Sequence, residues 1–146
     1  MNKSPRPAPP VRRLFTLAAW LAGGSGVAYG VLRYLWPRDD PFALVNHPWQ
    51  PHLQHLHVLV APLAVFALGA VWVAHVRPAR AAEAARRGSG AVAWWLAVVM
   101  VASGALIQVL TDSVARAAAG WVHTAASLAW LSALLLHCRR DRQTPP

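Results

Sequence analysis

Seven histidines are the residues of this chain best suited to chemistry: His47, His52, His55, His57, His75, His123 and His137. A neutral imidazole binds metals well, and its charge changes within the physiological pH range. Little else in the chain is reactive, since it holds one cysteine, Cys138, and only five Asp and Glu together. Spacing sorts the histidines. His123 and His137 are fourteen residues apart, which on a helix is about 40° short of four full turns and roughly 21 Å along the axis. His57 and His75 are eighteen apart, or about five full turns and about 27 Å. Each pair shares a helix face. His52 and His55 lie about 140° and 160° away from the face of His75 by the same count, so His57 is its natural face-mate.

These faces require helices, and composition says where they lie. Of the 146 residues 56% are hydrophobic and 13% charged, with mean hydropathy +0.35. Soluble domains carry about 25% charge, so a water-soluble fold is disfavoured and a disordered chain is excluded. Four apolar stretches, about 14–36, 53–76, 91–110 and 117–137, stand out. A hydrocarbon core of about 30 Å takes roughly 20 helical residues, and each stretch is long enough. Only helices satisfy their own backbone in lipid over segments of this length. The expected fold is all-α, a four-helix transmembrane bundle running up-down-up-down over residues 14–138. Residues 1–13 are expected as a disordered tail and 139–146 as a second tail. The first stretch is too long for the apolar part of a signal peptide and lacks a clear A-x-A site, so it is expected to be retained.

Basic residues set the orientation. Lys3, Arg6, Arg12 and Arg13 precede the first stretch, Arg77, Arg80, Arg86 and Arg87 sit between the second and third, and Arg139, Arg140 and Arg142 follow the fourth. Only Arg33, Arg38 and Arg116 remain for the other side. The positive-inside rule therefore predicts both termini in the cytoplasm. The formal charge of +9 is mostly this topology signal, and no aromatic-basic reading surface for nucleic acid accompanies it.

With one helix between them, the second and fourth helices run parallel, which matches His57 with His123 near the outer surface and His75 with His137 near the inner one. Two imidazoles complete the coordination of a haem iron. The four histidines thus read as axial ligands for one or two haems, and without a CxxCH motif the haem is non-covalent b-type. The segment Trp121-Val122-His123, followed after thirteen residues by His137, resembles the ligand helix of small bacterial di-haem cytochrome b proteins. That group includes the cytochrome b561-like and formate-dehydrogenase gamma-like membrane subunits. The resemblance implies two b-type haems in a bundle in the bacterial inner membrane. It also implies electron passage between a quinol and a redox protein on the outer side, by a subunit and not a stand-alone catalyst. The second helix departs from the pattern, because its spacing is eighteen where the group has 13 or 14. About 6 Å of extra rise is expected to be absorbed by tilt or by a bend at Pro62.

Two other classes stay open. His47 in the loop over 37–51, and His52 and His55 just after it in the same Pro- and Trp-rich outer cap, suit a surface copper or zinc site of a metal-handling protein. A structural subunit of a larger complex would use the histidines only for packing. Hydrolytic or transfer catalysis has no base-and-orienter set to support it. Gln108, Thr111 and Asp112 end the third helix, where they suit capping, a quinone or a haem propionate. Gly23-Gly24-Ser25-Gly26, with the pair Gly26/Gly30, and Ser103-Gly104 provide small-residue faces, for close helix contact or for a flat cofactor to approach the backbone. Trp20, Trp72 and Trp130 are expected to pack inside, and Trp36, Trp49, Trp94, Trp95 and Trp121 to form interfacial belts. The stretch 78–90 is expected to be a surface helix ending at Gly88-Ser89-Gly90. No internal repeat is legible.

Overall fold

The computed structural model describes residues 7–37, 40, 42–81 and 87–143, and every regular element among them is a helix. The chain divides into two compact units, residues 1–82 and 83–146. In the first, helix α1 (Pro9–Gly30) continues into a π turn, Val31–Leu35. Helix α2 (Gln50–Val71) continues into a second π turn, Trp72–Val76, and then into α3 (Arg77–Ala81). The second unit is a helical hairpin of α4 (Arg87–Val109) and α5 (Ser113–Gln143). Four helical stretches, Pro9–Leu35, Gln50–Ala79, Gly90–Val109 and Ser113–His137, are long and apolar enough to cross a membrane.

Helix boundaries follow local chemistry. Pro9 and Pro10 occupy the first turn of α1, where proline's fixed φ suits a helix and its missing N–H is no loss. The helix therefore begins five residues before Leu14 and draws Arg12 and Arg13 into its first turns, so the expected tail over 1–13 is partly helical. Residues 1–6 lie outside the described part. Pro51 starts α2 in the same way. Asp112 caps α5, its Oδ1 accepting the backbone N–H of Ala115 at 2.7 Å. Helix α5 then runs past the expected end at His137 to Gln143. Of the loop helix expected over 78–90, α3 covers the start as far as Ala81 and residues 82–86 lie outside the described part, while Gly88-Ser89-Gly90 stand in the first turn of α4 and do not end a helix.

Packing places mostly small residues inside and most large ones outside. Among the described residues the buried set is Ala18, Ala67, Ala97, Ala119, Ala126 and Trp130, with Ser25, Gln50 and Ser103. Large apolar side chains such as Leu59 (77% exposed) and Phe66 (68%) face outward. Water would drive these groups inward, whereas lipid leaves them outside and lets small residues bring helices close. The surface is thus compatible with a bilayer. Trp130 is buried as expected, but Trp20 is 72% exposed and belongs to this outer surface.

Helix α2 passes Pro62 and stays helical. The departure from α geometry comes at Trp72–Val76, where the backbone N–H of Arg77 bonds the Trp72 carbonyl in the i→i+5 pattern. His75 lies in this wider turn, so the regular count from His57 does not carry through to it.

Candidate functional site

The first unit builds a tether for His57. The imidazole Nδ1 lies 2.9 Å from the carbonyl oxygen of Ala22 on α1. A carbonyl only accepts, so Nδ1 carries the proton and the lone pair of the neutral ring is on Nε2. Ser25, one turn beyond Ala22 and buried, donates its hydroxyl to the Leu21 carbonyl at 2.6 Å, with a longer branch to Ala22 at 3.2 Å. Its Oγ is 3.3 Å from the His57 Nδ1. Gly26 makes room for the ring, since a Cβ there would lie 2.9 Å from the His57 Cε1. Gly30, the other half of the small-residue pair, faces open space.

The second unit repeats the arrangement. His123 Nδ1 lies 2.9 Å from the Met100 carbonyl on α4. Ser103, three residues on and buried, donates to the carbonyls of Val99 at 2.7 Å and Met100 at 3.1 Å. A Cβ on Gly104 would lie 3.1 Å from the His123 Cε1. In both units the first helix supplies a carbonyl, then a serine three residues on, then a glycine, and the second helix supplies the histidine. The whole-chain register hides this repeat because the connections differ, over 36–49 in one unit and 110–112 in the other. The signal available in the sequence is the pair of Ser-Gly dipeptides, which reads there as helix contact or as room for a flat cofactor and not as space for a histidine ring.

A histidine tethered through Nδ1 to a carbonyl is how metal-binding imidazoles are commonly held, with tautomer and ring angle fixed and Nε2 more basic. The donor set fits a haem iron: neutral imidazole nitrogen, with glycine giving the ring its space. His75 and His137 are half-buried, each on the helix and near the end where the sequence placed it.

The 36–49 connection and the first turns of α2, which carry His47 and then His52 and His55, are organised differently. His47 stacks edge-on against Trp36 with centroids 4.9 Å apart, and its Nδ1 accepts the Trp49 backbone N–H at 3.1 Å. His52 meets Trp49 edge-on at 5.8 Å. His52 and His55 are exposed. Among the described residues no group of three or more His, Cys, Asp or Glu is placed to hold a metal ion, so His47, His52 and His55 are not gathered into one. Asp112 is used as the α5 cap. Arg33, inside the first candidate span, donates to the Tyr29 hydroxyl at 3.0 Å and lies over the rings of Tyr29 and Tyr34. Its carbonyl accepts the Asn46 side chain at 2.7 Å, which ties the loop to the end of α1.

No model of a known protein family, no curated protein and no solved structure matches the chain.

Proposed function

We propose that the chain is a b-type cytochrome of the bacterial inner membrane, an electron-transfer subunit that passes electrons between a quinol and a redox protein on the outer side. In this reading His57 and His123 would hold one haem b, and His75 and His137 a second. The observation that carries this reading is the twin tether. Two histidines on different helices, in two units, are each fixed through Nδ1 to a helix carbonyl at 2.9 Å, with a glycine beside the ring. Bound haem supplies reversible one-electron storage. The chain holds the Nδ1–H of His57 and of His123 on a helix carbonyl, which leaves Nε2 as the coordinating nitrogen and fixes the ring angle before any ligand arrives. Both termini are on the cytoplasmic side in this reading, and reporter fusions at the termini and within 37–51 check it: cytoplasmic at both ends and external in the loop.

The direct test is the optical spectrum of the purified full-length protein, made with ample haem, together with haem extraction. The expected result is one or two acid-extractable haem b groups per chain with low-spin, bis-imidazole bands. Protein that folds and inserts but shows no haem absorbance contradicts the reading and leaves the structural subunit.

A further inference from the structure

The hydroxyl of Ser25 has one proton, and the shortest of its contacts takes it: 2.6 Å to the Leu21 carbonyl. Its lone pairs are then available to a donor, and the His57 Nδ1–H lies 3.3 Å away while also donating to the Ala22 carbonyl at 2.9 Å. A hydroxyl that is itself donating is a better acceptor, because hydrogen bonds in a chain polarise one another. We infer that Ser25 is a positioning residue that strengthens His57 as a ligand, by acting as a second acceptor for its Nδ1 proton. The effect runs through the ring. Each acceptor at Nδ1 draws that proton outward and makes Nε2 more basic, which favours the oxidised iron and lowers the reduction potential. The inference rests on the cytochrome reading for its consequence but not for the hydrogen bond itself.

Two variants separate this from packing. Ser25→Ala removes the acceptor and leaves a small gap; Ser25→Cys fills the space with a weak acceptor. Two measurements on the full-length protein then apply. Redox titration should show the haem potential raised in both variants by about a threefold change in the oxidised-to-reduced ratio, about 28 mV at about 59 mV per tenfold for one electron. Nitrogen-edited NMR in detergent should show the His57 Nδ1 proton moved upfield in both, as its hydrogen bond weakens. Retained haem with an unchanged potential and an unmoved Nδ1 proton overturns the inference. So does a shift in the alanine variant that cysteine restores, since that marks packing. A chain with no haem whose Nδ1 proton still moves upfield in both variants overturns the cytochrome reading and upholds the hydrogen bond.

Discussion

The first and second units hold their histidines by the same four parts on different frames. In the first, α1 and α2 each end in a π turn, and the connection over 36–49 carries two tryptophans and a histidine. In the second, both helices are regular, and the connection over 110–112 is closed by the Asp112 cap. Yet the histidine-to-carbonyl distance is 2.9 Å in both, and the serine bonds the same two preceding carbonyls. The comparison teaches that the carbonyl, serine, glycine and histidine are the constrained set. The connections only have to return the chain, and among the described residues the π turns occur in the first unit alone.

That comparison sharpens at the ends of the helices. His75 sits in the π turn of the first unit, and His137 on the regular α5. His75→Ala and His137→Ala should each remove a haem different from the one that depends on His57 and His123, with the same spectral loss in both. Unlike losses would show that the π turn sets His75 to another task.

The glycines give the next largest effect. Gly26→Ala brings a methyl to 2.9 Å of the His57 ring, and Gly104→Ala to 3.1 Å of the His123 ring. The ring in the first unit must move and that in the second need give only a few tenths of an ångström. Haem retention and thermal stability should therefore fall further for Gly26→Ala than for Gly104→Ala. Equal losses, or the reverse order, would break the asymmetry.

Smaller still is the Asp112 cap. Asp112→Ala removes the acceptor for the Ala115 N–H and should cost about 1 kcal/mol of helix stability. The haem spectrum should be unchanged, because the cap shapes the connection and not the tether. Smallest is the connection and the first turns of α2: replacing His47, His52 and His55 together should leave haem content intact. If the triple variant loses haem, one of these three histidines has taken the place assigned to His57.

Much of this architecture was legible from the chain itself. Four apolar runs announce four helices because lipid demands unbroken hydrogen bonding over about 20 residues. Proline at positions 9, 10 and 51 still shifted two starts outward, since a proline in the first turn continues a helix that hydropathy alone would begin later. Helix arithmetic singled out His57 and His123 as candidates, but it assumed about 100° per residue throughout. Nothing in Trp72–Val76 betrays a π turn, so the position of His75 was beyond that count. Trp20 was misplaced because a deep tryptophan reads as core, whereas in lipid a large side chain is equally at home outside. The tether was out of reach for a plainer reason: a backbone carbonyl has no signature in the sequence, and Ala22 and Met100 share nothing as residue types.

The central claim is that the two tethered histidines are equivalent ligands of one group. Haem extracted per chain from His57→Ala, His123→Ala and the double variant tests it most directly. The account predicts that both single variants lose the same haem and that the double variant loses no more than either, because two ligands of one iron act as a unit. Normal haem content in either single variant, or a loss in the double variant equal to the sum of two different losses, would contradict it.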